Sequence, residues 1–221
     1  LHANLPYDAL KDITPVTLIA SARLALFVHP SLPVHTVGEL VTYAKARPDR
    51  IPYSSFGIGT TNHLILEAFA FDTGIKLVHV PYKGSAPAAA ALLSGEVMAS
   101  FDLLQSTMPH VKANRLRALA VAASRRITVA PNIPTFAEAG FPGVSASGWY
   151  GFFVPGGTPR DVISHLHVEA ARALELPDIR DALERAGIEP VGSTPEEFAR
   201  VVRDDIKKFT RIAEAAGIRA E

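Results

Sequence analysis

The sequence of 221 residues contains no cysteine, which excludes disulfides, thiolate metal sites and cysteine nucleophiles together. No apolar run is long enough to span a bilayer, and no charged-then-apolar leader stands at the start. Export followed by processing stays open at this point. Net charge of one sign is lacking too, since 22 Lys and Arg balance 22 Asp and Glu, so nothing forms a basic footprint for nucleic acid. Arg125-Arg126, the longest basic cluster, reads as solvated surface.

Catalytic signatures are equally scarce. There is no G-x-S-x-G elbow, no G-x-x-x-x-G-K-[ST] loop and no H-E-x-x-H pair. The eight His are scattered, and His165 and His167 are two apart on a predicted helix, so they diverge by about 200° and cannot share a metal. Asp204-Asp205 reads as solvated charge on an exposed helix face. The expectation is a protein that is not an enzyme and needs no cofactor or metal.

What is present is a globular composition, 48% hydrophobic and 20% charged, which supports a sizeable core. Leu24–Val28, Leu77–Val80, Val97–Phe101 and Leu116–Ala123 read as nearly continuous apolar strands, the pattern of parallel strands covered on both faces. Thr36 with Glu39 forms a capping box ahead of Val37, Leu40, Val41 and Ala44, and Ser85 can cap the Ala-rich run that ends near Gly95.

Further on, Thr158-Pro159 before Asp161 and Thr194-Pro195 before Glu197 each give a cap, a first-turn proline and an acid. Phe198, Val202, Ile206, Phe209 and Ile212 line one face of the last helix, with Gly217 as its stop. The stretch Arg125–Gly143, rich in Pro and Gly apart from a short Thr135–Ala139 helix, suits a segment crossing between lobes. These patterns give one complete α/β lobe over residues 24–120. Residues 1–23 and 121–221 supply crossing segments and another lobe, whose strands near Val16 and over Ser147–Val154 are few for its three helices.

The strongest local feature is the stretch Ser54–Leu64, where a strand ends at Tyr53, Gly57 and Gly59 permit a tight turn, and a helix opens near Thr61. The free N–H groups and dipole of such a helix start make an anion site without Lys or Arg, aided here by the hydroxyls of Ser55, Thr60 and Thr61. The alternative is an ordinary helix start in a strand-to-helix loop. G-x-G-x-x-N lacks the third glycine of the dinucleotide fingerprint, and Asp72 comes too early for its acid.

A second strand-to-helix turn, Pro81–Pro87, offers Tyr82, Lys83, Gly84 and Ser85; taken alone it is also readable as a turn with a surface lysine. Two such turns at the ends of parallel strands would face one crevice. Asp102, at the end of its strand, would face the same crevice or cap the next helix, and His63 is the other group there able to act as a base. Trp149, with Tyr150 between Gly148 and Gly151, can wall a cleft or fill core.

Taken in order, these motifs resemble the substrate-binding proteins of tripartite tricarboxylate transporters, the Bug family of extracytoplasmic solute receptors. The matching stretches include Leu5–Asp8, Asp12–Thr17, Val28–Val34, Ser55–Leu64, His79–Ala88, Phe101-Asp102, Leu116–Val121, Pro134–Gly140 and Trp149–Pro159. The resemblance implies a type II periplasmic binding-protein fold, with two α/β lobes joined by crossing strands and the first lobe incomplete. It implies periplasmic capture of a small carboxylate by lobe closure and delivery to the membrane permease subunits of a transporter. Ser55, Gly57, Gly59, Thr60, Thr61, His63, Tyr82, Lys83, Gly84, Ser85, Asp102 and Trp149 are the expected ligand-binding residues.

Family members normally begin earlier, with a strand, a Pro-Gly-Gly loop and helices that complete the first lobe. A fragment or a truncation is therefore expected, with weaker ligand binding than a full-length relative and an uncovered sheet edge open to self-association. A dicarboxylate, hydroxyacid, acidic amino acid or aromatic acid all remain open as ligand. An enzyme or ligand sensor on a similar lobe is the alternative.

Overall fold

The computed structural model describes residues 6–127, 130–144, 148–185 and 188–218; Leu5 and Ser147, at the starts of two stretches singled out above, lie outside them. The chain forms two compact units, a larger one from Arg23–Ser147 with Ile212–Ile218 and a smaller one built mainly from Leu1–Ala22 and Gly148–Arg211.

The larger unit holds a five-stranded sheet of β2 (Leu24–Val28), β3 (Pro52–Ser55), β4 (Val78–Pro81), β5 (Ala99–Leu103) and β6 (Arg117–Val121), in the order β4-β3-β5-β2-β6. β3 pairs parallel with both β4 and β5, whereas β2 runs antiparallel to β5 and β6. The all-parallel expectation is thus corrected. The reason lies in β2: Leu24, Leu26 and Val28 enter one buried cluster, and Ala25 and Phe27 enter the cluster on the other face. A continuous apolar run records burial on both faces and carries no information about strand direction.

Helices α1 (Val37–Lys45), α2 (Thr61–Thr73), α3 (Ser85–Ser94) and α4 (Leu104–Lys112) belong to this unit. α1 starts as its sequence requires: Glu39 N–H donates to Thr36 Oγ1 at 3.1 Å, and the Glu39 carboxylate accepts from His35 N–H at 2.6 Å. α3 differs, because Gly84 with φ 106° occupies the cap position and Ser85 is already the first helical residue. No side chain caps that start.

The expected Thr135–Ala139 helix is a single turn. Thr135 N–H donates to the Glu138 carboxylate and Glu138 N–H to Thr135 Oγ1, but Phe136 N–H donates to Val121 O and Val121 N–H to Pro134 O. The backbone is therefore bound to β6 and cannot propagate a helix. Phe136 is fully buried against Phe69 and Phe101, at 5.7 and 5.4 Å between ring centroids. Residues on both sides of it pack within the larger unit as well.

The smaller unit is a three-stranded antiparallel sheet of β1 (Ile13–Ala22), β7 (Gly148–Pro155) and β8 (Ile188–Pro190), ordered β7-β1-β8, with α5 (Arg160–Glu175), α6 (Pro177–Arg185) and most of α7 (Pro195–Ala215), whose end from Ile212 belongs to the larger unit. β8, only three residues long, adds one strand to the two read from sequence. α7 carries the full reciprocal cap expected of it, Thr194 with Glu197. α5 starts one residue later than expected, with Pro159 at the cap, while Thr158 Oγ1 donates to Pro155 O.

Burial along the apolar face of α7 is uneven, with Ala213 buried again near its end. Phe198 is fully buried and Val202 nearly so, but Ile206 is 38% exposed. Asp205 is not simply solvated: its carboxylate accepts from the Trp149 indole N–H at 2.6 Å and ties α7 to β7. Trp149, Phe153 and Phe198 pack ring on ring beside this bond.

A Cβ at Gly151 would overlap the Phe198 ring. Gly151→Ala is therefore expected to destabilise the protein by about 1–3 kcal/mol, read from the urea midpoint, and to cost less when Phe198 is shortened to Leu. Equal costs in both backgrounds would show that this ring does not exclude the side chain.

Candidate functional site

Because β4, β3 and β5 are parallel neighbours, their carboxyl ends all open on one sheet edge. The β3–α2 loop, the β4–α3 loop and the end of β5 meet there. Tyr82 N–H donates to Ser55 O at 3.0 Å and Gly84 N–H to Phe56 O at 3.2 Å, so the two loops form one joined surface. Both turns need glycine where the chain passes through positive φ, 136° at Gly57 and 106° at Gly84.

The β3–α2 loop is held by its own polar groups. Thr60 Oγ1 lies 2.6 Å from Gly57 O and 2.7 Å from Asn62 Oδ1. Buried Asn62 accepts from Phe56 N–H and from its neighbour His63 N–H, and its side-chain amide donates to Phe101 O at 3.1 Å. That last bond fixes the loop to β5, one residue before Asp102. Thr60 caps α2 with extended backbone and no side-chain bond to a first-turn amide, and the first-turn amides of a helix have no intrahelical acceptor.

Beneath the loop lies a cluster of rings. His63 and His79 stack at 3.8 Å between centroids and 13° between planes, and Tyr53 stacks on His79 at 4.9 Å. The Tyr53 hydroxyl is hydrogen-bonded to the Glu67 carboxylate. Gly59 N–H donates to His63 Nδ1 at 3.1 Å, and His79 Nε2 lies 2.6 Å from Ser55 Oγ. Burial, and then the neighbouring His63 ring, pull His79 down to about 4 against an opposing pull from Glu67; burial also lowers His63. Both imidazoles are neutral at pH 7.

Asp102 is the fourth residue of β5 and 2% exposed. Its carboxylate accepts from Leu103 N–H at 2.7 Å, but burial outweighs that bond and pushes its pKa up to about 6. It does not cap α4, whose cap position is Leu103.

Of the twelve residues singled out in the sequence, the structure gathers Ser55, Gly57, Gly59, Thr60, Thr61, His63, Tyr82, Lys83, Gly84 and Ser85 on the joined loops, with Asp102 at the end of β5 beside them. Tyr82 does not offer a free hydroxyl, since it bonds the Glu96 carboxylate at 2.7 Å. Lys83 and Ser85 are exposed. Trp149 belongs to the smaller unit, with its indole N–H committed to Asp205.

Three residues of the cluster were missed, namely Tyr53, Glu67 and His79. A signal existed for His79, as a titratable residue inside the apolar run Leu77–Val80, but only the β3–β4 pairing of Tyr53 with His79 shows what it serves.

The family model for the receptor of the tripartite tricarboxylate transporter family matches residues 1–218. The chain belongs to this family. Among curated proteins it is 32% identical over 217 residues to Protein BugT of Bordetella pertussis, covering 98% of this chain and 67% of that one. It is 34% identical to a protein from the tcbD-tcbE intergenic region of Pseudomonas sp., of which it spans 63%.

Among solved structures, R. palustris Rpa4515 with adipate superposes with a TM-score of 0.87 at 36% identity, over 99% of this chain and 73% of that one. MatC from Rhodopseudomonas palustris with bound malate gives 0.83 at 28% identity, over 95% and 72%. The periplasmic binding protein BugD gives 0.86 at 26%, over 100% and 75%. This transporter receptor therefore has the two-lobed α/β periplasmic binding-protein fold.

The raised Asp102 carboxyl has a signed consequence. Below its ordinary value of 3.8 both folded and unfolded chains are protonated there; as pH rises towards about 6 only the unfolded chain ionises, and stability falls. Asp102→Asn is expected to stabilise the receptor by about 2–3 kcal/mol at pH 7 and by much less at pH 4. Urea unfolding of both proteins at the two pH values checks this, and an unchanged difference would refute the buried-charge account.

Proposed function

We propose that this receptor captures a small carboxylate in the periplasm through the joined β3–α2 and β4–α3 loops, within the 24–120 lobe, and passes it to the membrane permease subunits of a tripartite tricarboxylate-type transporter. The observation that carries the proposal is the meeting of two helix starts on one sheet edge, tied by the Tyr82-to-Ser55 and Gly84-to-Phe56 hydrogen bonds. Each helix start directs amide N–H groups and a partial positive charge outward, which suits an anion. No arginine lies in either loop. Amide dipoles, hydroxyls and Lys83 would meet the carboxylate, with Asp102 placed for a ligand hydroxyl or ammonium.

Solved structures of relatives with adipate and with bound malate support a carboxylate and leave its chain length open. Trp149 can offer a ligand only its ring, because Asp205 holds its N–H.

One observation favours an enzyme, the 2.6 Å contact of Ser55 Oγ with His79 Nε2. Three others oppose it. Ser55 is fully buried, His79 at about 4 is too weak a base at neutral pH, and no described residue hydrogen-bonds its other ring nitrogen to orient it. Capture without turnover is the better account.

Calorimetry against malate, adipate and aspartate at pH 7.5, followed by NMR of the recovered acid, tests the proposal. Heat with the acid unchanged is the expected result. Silence across the three would refute carboxylate capture, and consumption of any of them would establish the enzyme instead.

A further inference from the structure

The hydrogen bonds beneath the loop depend on protonation state. Gly59 N–H donates to His63 Nδ1, so that nitrogen carries no proton and the imidazole is the neutral tautomer with hydrogen on Nε2. A protonated His63 has no acceptor to offer, and Gly59 N–H would face a second donor. At the other end of the turn, Ser55 Oγ contacts His79 Nε2 while receiving Gly57 N–H at 3.2 Å. The two ends of Ser55–Thr60 are thus pinned by one imidazole each, and the imidazoles stack on each other at 3.8 Å.

Resting on the carboxylate-capture reading, we propose that the stacked His63–His79 pair positions the anion loop. Its neutral form holds Ser55, Gly57 and Gly59 in the ligand-accepting conformation, and proton uptake releases them. Neither His79 nor this use of His63 requires contact with the ligand; both act through the loop.

The surroundings favour the neutral pair. Around His79 the titratable groups are Tyr53 from β3 and His63 and Glu67 from α2. Glu67 favours protonation of His79, but its carboxylate is already bonded by Tyr53, and burial together with the His63 ring outweighs it. Asp102 is satisfied within its own strand end and Lys83 is exposed, so neither supplies a counter-charge by contact. With a folded-state value below the ordinary 6.5, the pair stays neutral above that pH, and acid destabilises the loop as pH falls through the interval down to about 4.

The sign separates positioning from direct contact. An imidazolium touching a carboxylate would strengthen binding in acid, whereas a positioning pair weakens it.

Two measurements decide the matter. The first is an NMR titration of the labelled, ligand-free chain from pH 8 to pH 4, following the imidazole nitrogens and the Gly57 and Gly59 amides. His63 should show a bare Nδ1 at neutral pH, and both glycine amides should shift with the imidazole titration. A protonated Nδ1, or glycine signals that stay flat while the rings titrate, overturns the proposal.

The second is malate affinity of the wild type and of His79→Gln, a side chain that can contact Ser55 but cannot take up a proton, at pH 7.5 and pH 4.0. Protonation of malate is common to both proteins and cancels in the ratio. The wild type should lose about 2- to 10-fold more affinity than the variant over this interval. A constant ratio, or a relative gain by the wild type in acid, overturns the proposal. Absence of heat in both proteins at both pH values would count against carboxylate capture itself, and the glycine amides would then decide the positioning role alone.

Discussion

Parallel pairing of β3 with β4 on one side and β5 on the other is the constraint on which the candidate site depends. Three consecutive strands running the same way bring three carboxyl ends to one edge, and the chain must leave each of them through a loop there. The two loops that continue into α2 and α3 are then close enough to share backbone hydrogen bonds. Had β3 been reversed, as β2 is relative to β5, the Ser55 turn and the Gly84 turn would open at opposite ends of the sheet.

The proposed site would attract an anion largely without formal charge. Its donors are backbone amides at helix starts and hydroxyls, held by Asn62, Thr60 and the two imidazoles. A guanidinium in the same place would bind more strongly in isolation but would need a counter-charge whenever the site stood empty. Fixed amide dipoles pay no such cost, and the two imidazoles beneath them are kept neutral by burial. Burial disfavours the charged form of Asp102 as well, which for a carboxyl means a raised value.

The smaller unit is held differently. Among the described residues its sheet has three strands, one of them three residues long, and no residue of α5 or α6 is buried. Its order comes from a compact aromatic cluster, in which Phe198 fills the space that Gly151 leaves and Asp205 fixes the Trp149 indole. The long helix α7 is anchored by that cluster at its start, and its apolar stripe is already partly exposed by Ile206.

Local rules determined a good deal of this protein. The caps at Thr36 and Thr194, the glycine turns, most strand positions and the strand-to-helix form of the β3–α2 loop follow from side-chain chemistry over a few neighbouring residues, and they were legible without coordinates. Strand direction was not, because an apolar run is the same read either way once both faces are buried. Nor was the short Thr135 turn, whose local helix signals lost to hydrogen bonds with a strand that precedes it in the chain. Tertiary structure alone decided that Tyr53, Glu67 and His79 lie together with His63, that the Tyr82 hydroxyl is spent on Glu96, and that Asp205 serves Trp149. Each of these joins residues between 10 and 56 positions apart, a range over which neither periodicity nor capping chemistry acts, so only the packed sheet and helices could bring them together.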